Sequence, residues 1–166
     1  MNLKNIDLII FDFDGVLTDN FVYISSKGEE LVRCSRADGL AFDALRKLKI
    51  ETLILSSEAN KVVTQRAKKL KCKIIQNVKD KTKIVTRYCN KYNISLSNTL
   101  FVGNDLNDLN AMLLCGYSAC PFDSHPSIKK NASHILKSKG GFGIAREVVE
   151  NLLQINLTDL LFKNDK

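Results

Sequence analysis

Hydrophobic positions along this chain fall into short runs, separated by stretches in which apolar residues recur every three or four places. The runs Leu8–Phe11, Thr52–Leu55, Lys73–Ile75, Thr99–Val102, Ser118–Cys120 and His134–Leu136 read as buried strands. Helical spacing marks Leu40–Leu48, Val62–Leu70, Ile84–Tyr92, Leu109–Leu114 and Ile144–Leu153. Strand–helix alternation of this kind predicts an α/β fold, a Rossmann-like parallel sheet with helices on both faces. Such sheets gather functional residues at the carboxyl ends of their strands.

One segment departs from the alternation. Phe21–Ile24 and Glu29–Arg33 flank the polar turn Ser25–Gly28, which predicts a β-hairpin over about residues 20–34, just after the first strand. An isolated hairpin is marginal in water. It is expected to pack on its own domain or, as the favoured alternative, on another subunit. No repeat or linker divides the chain, and residues 1–166 are expected to form one domain.

Composition narrows the function classes. The hydrophobic share of 45% is ordinary for a globular protein. The 25 basic and 18 acidic residues give a formal charge of +7, which suits an anionic partner without naming it. Many of the lysines crowd into residues 68–83, but no recognition motif or aromatic platform accompanies them. They read as a solvated surface, and no nucleic-acid partner is expected. No apolar run approaches the ~18 residues of a membrane helix, and the amino terminus lacks the apolar length and cleavage site of a signal peptide. A cytoplasmic protein with no membrane partner is expected. Cys34, Cys72, Cys89, Cys115 and Cys120 lack C-x-x-C spacing, which argues against a disulfide framework or structural zinc.

The first apolar run breaks into Asp12-Phe13-Asp14-Gly15. Carboxylates at i and i+2 of an extended backbone point the same way. Either the strand ends in an Asx-type turn, or the pair faces a hard cation such as Mg²⁺. In the second case one acid is suited to attack phosphorus and the other to move a proton. Gly15 would allow the sharp turn, and Thr18 would donate a hydrogen bond nearby. Ser56 and Ser57 close the next strand, where a hydroxyl meets a phosphate oxygen or is simply a polar strand end. Lys81 opens the helix after Lys73–Ile75, either neutralising a carboxylate and a phosphate or adding one more surface lysine. Thr99–Asp108 repeats the opening pattern: Asp105 and Asp108, three apart, share a face of a first helical turn, where the helix dipole favours acids in any case.

Taken in order, "FDFDGVLTD" (residues 11–19), a strand-end serine, a lysine and "VGNDLND" (residues 102–108) resemble the haloacid dehalogenase superfamily of phosphohydrolases. The hairpin followed by "GEEL", then "DGLAF", "DSHP" and "GGFGIARE", is similar to the 3-deoxy-manno-octulosonate 8-phosphate phosphatases. Their relatives include the phosphatases of nine-carbon, sialic-type acids and the phosphatase-like domain that follows some cytidylyltransferases. The resemblance implies a capless fold with a small hairpin flap, Mg²⁺ as cofactor and a homotetramer with hairpins at its centre. It also implies hydrolysis of the terminal phosphate of a 2-keto-3-deoxy sugar acid, through an aspartyl-phosphate. Asp12 would be the nucleophile and Asp14 the general acid and base; Ser56 would hold a phosphate oxygen and Lys81 steady Asp12. Asp12, Asp14 and Asn104 would ligate the metal, with Asp105 or Asp108 compensating where the family usually has an acid in place of Asn104.

Two departures bear on specificity and activity. Ser56-Ser57 stands where the family usually has Thr-Gly. Glu58 follows, as in the nonulosonate-type relatives, whereas the octulosonate enzymes usually carry Arg; Lys69 matches a lysine about three helical turns on, and Arg66 is a second candidate on that face. Lys139–Gly143 reads either as a mobile loop reaching a neighbour's site, with Arg146 as a contact, or as a flexible loop capped by the helix after it. A non-catalytic oligomerisation module is the competing reading, kept open by Asn104 and Ser57.

Overall fold

The computed structural model describes residues 5–163. Six strands form one parallel sheet: β1 (Leu8–Phe11), β4 (Glu51–Leu55), β5 (Lys73–Ile75), β6 (Thr99–Val102), β7 (Tyr117–Cys120) and β8 (His134–Ile135). Their order is β5-β4-β1-β6-β7-β8, so β1 lies inside the sheet, with β4 on one side and β6 on the other. The chain therefore leaves β1 for one half of the sheet and crosses back for the other, which makes the end of β1 the topological switch point where open α/β sheets bind ligands.

The alternation of β1 explains why it reads as an unbroken apolar run. Ile9 and Phe11 enter one hydrophobic cluster with Leu45, Val63, Ala67 and Ile144, from the helices α1 (Asp38–Lys47), α2 (Lys61–Leu70) and α6 (Ile144–Glu147). Leu8 and Ile10 enter the opposite cluster with Val85, Cys89, Ala111, Met112 and Ile128, from α3 (Lys81–Tyr92), α4 (Leu109–Leu114) and α5 (Pro126–Asn131). A strand covered on both faces needs apolar residues at every position. Each fully buried side chain of this size contributes about 1.5–3 kcal/mol.

The predicted hairpin is present as β2 (Thr18–Ile24) and β3 (Glu30–Cys34), an antiparallel pair apart from the main sheet. Its strands carry apolar residues that are exposed beside the polar turn: Phe21 is 72%, Tyr23 69%, Ile24 67% and Leu31 66% accessible. Helix starts lie upstream of the first periodic residue because polar caps hold them: Asn60 accepts from the Val62 amide and Asp80 from the Lys83 amide. Two helices lie outside the predicted helical stretches, α5 and α7 (Leu157–Phe162), the second with Leu157, Leu160 and Leu161 at helical spacing. No helix among the described residues is long and apolar enough to cross a membrane.

Candidate active site

The carboxyl ends of β1, β4 and β6 open onto one polar cleft of about 210 Å³, lined by Asp12, Asp14, Asn20, Ser56, Ser57, Glu58, Asn104, Asp105 and Asn107. Four of these side chains are acids and none is basic, in a chain whose overall charge is +7. A larger groove of about 430 Å³ runs along β5 and α3, lined by Leu53, Ile75, Ile84, Tyr88 and Tyr92. It gathers no carboxylate, so the smaller cleft is where the chemistry of the strand ends converges.

Asp12 leaves β1 in extended conformation and Asp14 follows in a wide turn, Phe13–Leu17. Gly15 takes φ 76°, closed to most side chains, and a Cβ there would lie 2.0 Å from the Asn104 side chain. The Gly15 amide donates to Thr18 Oγ1 at 3.2 Å, so Thr18 closes the turn as an acceptor. Asp12 Oδ1 accepts from the Phe13 amide at 2.7 Å and pairs with Lys81 Nζ at 2.8 Å. Lys81 Nζ also meets Asp108 Oδ1 at 2.6 Å. The three groups are buried: Asp12 is 5%, Lys81 3% and Asp108 0% accessible.

This triad carries one cation against two anions. Burial, then the charge of Asp108, pushes the Asp12 carboxyl up to about 8 against the opposing pull of Lys81. Burial works against the Lys81 ammonium, but Asp12 and Asp108 outweigh it and hold it above its ordinary range. Asp14 is lifted above the usual carboxylate range by burial, then by the charge of Glu58, with Lys81 pulling the other way and Glu30 adding to the rise. Both raised carboxyls thus stand at the strand end that opens the cleft.

Asn104 decides how a cation would fit. One terminal atom of its amide lies 2.8 Å from the Asp14 carbonyl oxygen and 3.3 Å from Asp12 Oδ2, both acceptors. Either that atom is the nitrogen and donates to both, or it is the oxygen and the three oxygens share a cation. Adjacent ligands of an octahedral ion at about 2.0–2.1 Å stand about 2.9 Å apart, so the spacing fits Mg²⁺. Among the described residues no group of three His, Cys, Asp or Glu side chains could hold a metal. A cation here would instead meet one carboxylate, one backbone carbonyl and one amide, beside the acids of the rim.

The remaining site residues divide clearly. Ser56 is buried, its Oγ accepting from the Glu58 amide at 3.0 Å. Ser57 Oγ accepts from Asn107 Nδ2 at 3.1 Å, joining the loops after β4 and β6. Glu58 lies on the rim, its Oε1 accepting from the Ala59 and Asn60 amides at 2.7 and 3.0 Å. Asp105 lines the cleft, but its Oδ1 caps the next turn through the Leu106 amide at 2.7 Å.

Three expectations are corrected. Asp108 does not face the cation position: Oδ1 holds Lys81, and Oδ2 accepts from the Asn104 and Asp105 amides at 2.9 and 3.3 Å, so it acts from behind. Arg66 and Lys69 lie outside the cleft, in a groove between the hairpin and α2, where Arg66 Nη2 donates to the Ser35 carbonyl at 2.5 Å. Arg146 turns to Glu150 at 2.9 Å, while its amide donates to Asp38 Oδ1 at 3.2 Å. The loop Lys139–Gly143 is tied to its own chain where the Gly141 amide donates to the Val16 carbonyl at 3.0 Å, while Phe142 beside it is exposed. Asn20 and Asn107 line the cleft without having been singled out. Asn20, at φ 67°, is legible only as a residue tolerant of that backbone at the hairpin root.

Comparison with known proteins places this geometry. The profile of the haloacid dehalogenase-like hydrolases matches residues 40–148, beginning after Asp12 and Asp14. The 3-deoxy-D-manno-octulosonate 8-phosphate phosphatase KdsC of Escherichia coli K12 is 32% identical over 151 residues, 90% of this chain and 80% of that protein. The corresponding phosphatase from Moraxella catarrhalis, solved with a magnesium ion, a phosphate ion and a KDO molecule, is 31% identical. It superposes with a TM-score of 0.88 over 92% of this chain and 88% of the other. The Yersinia pestis 3-deoxy-D-manno-octulosonate 8-phosphate phosphatase, 29% identical, gives 0.88 over 96% of this chain and 85% of its own. Motifs, sheet order and relatives agree: the chain belongs to the haloacid dehalogenase-like hydrolases and, among them, to the family of the 3-deoxy-D-manno-octulosonate 8-phosphate phosphatases.

Proposed function

We propose that this chain is a Mg²⁺-dependent phosphatase that removes the terminal phosphate of a 2-keto-3-deoxy sugar acid. The observation that carries the reading is the convergence of Asp12, the Asp14 carbonyl and Asn104 in an acidic cleft, with Lys81 buried behind Asp12. Asp12 Oδ2, the Asp14 carbonyl and the Asn104 amide oxygen would hold the ion, which offsets the charge of a dianionic phosphate and makes the Asp12 carboxylate available.

The Asp12 carboxylate attacks phosphorus in line, and the bond from phosphorus to the sugar oxygen breaks. Asp14 gives its proton to that oxygen as it leaves. Asp14 then takes a proton from water, the water oxygen attacks the aspartyl-phosphate, and the bond to Asp12 breaks to release phosphate. Lys81 and Ser56 hold Asp12 and a phosphate oxygen in place, because phosphoryl transfer depends chiefly on positioning and charge.

The cleft of about 210 Å³ is below the roughly 300–1,000 Å³ of most small-molecule sites. It takes the phosphoryl end and leaves the sugar acid on the rim or against a second protomer. The named relatives support the eight-carbon octulosonate 8-phosphate. Glu58 supports a second reading, a nine-carbon nonulosonate 9-phosphate, since an acid on the rim suits a hydroxyl or amine better than a carboxylate. Contiguous exposed apolar residues on the hairpin support a homotetramer; Tyr23→Lys should lower the mass measured by light scattering.

Turnover of both acid phosphates with and without Mg²⁺, in wild type and Asp12→Asn, tests the function. Mg²⁺-dependent release of phosphate that disappears in Asp12→Asn is expected. No metal-dependent turnover on either substrate would sink the enzyme reading and leave the oligomerisation module.

A further inference from the structure

The turn that carries Asp14 is held from behind by a loop far along the chain. Gly15 and Thr18 close the turn on themselves, with the Thr18 amide returning to the Phe13 carbonyl. Its rear surface is backbone, and Gly140 and Gly141 pack against it. A Cβ on Gly140 would lie 2.2 Å from the Gly15 carbonyl oxygen and 3.0 Å from that of Thr18, and one on Gly141 would lie 2.5 Å from the Asp19 amide nitrogen. The Gly141 amide donates to the Val16 carbonyl at 3.0 Å, so the contact is bonded as well as close.

The loop is in turn fixed at both ends. The Lys137 and Ser138 amides donate to the two oxygens of Glu147 at 2.7 and 2.8 Å, and the Gly140 amide donates to Asp123 Oδ1 at 3.0 Å. Glu147 is 8% accessible. It is held below the ordinary carboxylate range against burial, by the Lys137 amide first and then by Ser138. A buried carboxylate with both oxygens committed to consecutive amides is a rigid anchor.

Resting on the proposed phosphatase reading, we infer that Glu147 is a positioning residue for the proton-transfer half of the reaction. It fixes the Gly140–Gly141 loop, the loop fixes the Gly15–Thr18 turn, and the turn aims Asp14. Asp12, Lys81 and Asn104 are anchored separately, through β1, α3 and β6; of the proposed metal donors only the Asp14 carbonyl rides on the turn, and saturating Mg²⁺ offsets its displacement. Displacing a reacting group by about 1 Å costs on the order of 10²-fold in rate, and the loss should fall only on steps in which Asp14 moves a proton.

Glu147→Gln keeps the shape but leaves one amide without its acceptor. The probe is p-nitrophenyl phosphate, whose leaving group departs without a proton, compared with the sugar acid phosphate. In the variant, amide hydrogen exchange over residues 15–19 should quicken and kcat on the sugar acid phosphate should fall about 10–100-fold with KM unchanged. At saturating Mg²⁺ the first-turnover burst of p-nitrophenolate should stay within about twofold of wild type, because only the later hydrolysis needs Asp14 as base. Unchanged exchange over residues 15–19, or a burst rate that falls in step with kcat, would overturn the inference. Where Glu147→Gln does not fold, Gly140→Ala carries the same expectations from the turn side. A wild type without Mg²⁺-dependent turnover removes the phosphatase reading, while the exchange measurement still decides whether Glu147 fixes the turn.

Discussion

Lys81→Met is the most demanding test of the buried triad. Lys81 Nζ lies 2.8 Å from Asp12 and 2.6 Å from Asp108, and all three groups are shut away from solvent. Removing the cation leaves two carboxylates facing each other without a counter-charge, a change that costs about 3–5 kcal/mol when one partner of a buried pair is deleted. For a chain of this size each kcal/mol moves Tm by about 2–4 °C, so a fall of about 6–20 °C is expected. The sign with pH follows from the acids. Asp12 already titrates near 8 in the fold, well above about 3.9 when unfolded, and loss of the Lys81 charge raises it further. Acids whose folded pKa is raised lose stability as pH rises, so the deficit should be largest at pH 8 and shrink toward pH 5. Lys81 in wild type titrates above its ordinary range, so its own contribution is constant across this window. Urea unfolding of both proteins at pH 8, 6.5 and 5 gives the comparison. A deficit under about 1 kcal/mol at pH 8, or one that grows as pH falls, would refute the reasoning.

Asn104→Asp adds a charge to the proposed donor set and should tighten Mg²⁺ binding about tenfold by calorimetric titration; unchanged affinity would remove Asn104 from that set. Asp38 is buried at the start of α1, and burial lifts it to about 6 against the opposing Arg146 amide and Arg66 charge. Its folded pKa lies above the unfolded value, so wild type should lose up to about 3 kcal/mol between pH 4 and pH 7 from this group. Asp38→Asn should show a slope shallower by that amount when urea unfolding is compared at pH 4.5 and 7, and an identical slope in both proteins would refute the assignment.

The sheet was legible because its strands are covered on both faces: β1, β5 and β6 have the limits that the apolar runs predict. The short helix α5 was not, since Pro126-Ser-Ile-Lys-Lys-Asn has a single apolar residue and rests on His125 as its cap. At the site, strand ends announced Asp12, Asp14 and Ser56, but helical spacing did not separate Asp105, which lines the cleft, from Asp108, which turns away from it. A capping box turns Asp105 toward its own turn and Asp108 inward to Lys81, a division that spacing alone does not carry. Arg66, Lys69 and Arg146 sit on the right helices, yet which way a helix presents its cations depends on packing against the hairpin and α1. The glycines at 140 and 141 read as freedom to move, whereas they supply room for another backbone to come close.

The central place of β1 has a consequence for how the protein is made. Leu8–Phe11 pairs with Glu51–Ile54 on one side and with Thr99–Val102 on the other, so its second partner emerges about 90 residues later. At roughly 5–20 residues per second of synthesis, a sticky four-residue segment waits about 5–18 seconds before its final neighbour exists. Charges beside such segments discourage association between nascent chains, and Asp12 and Asp14 stand there. The two carboxylates that face the cleft in the finished protein thus guard the strand before the cleft has formed.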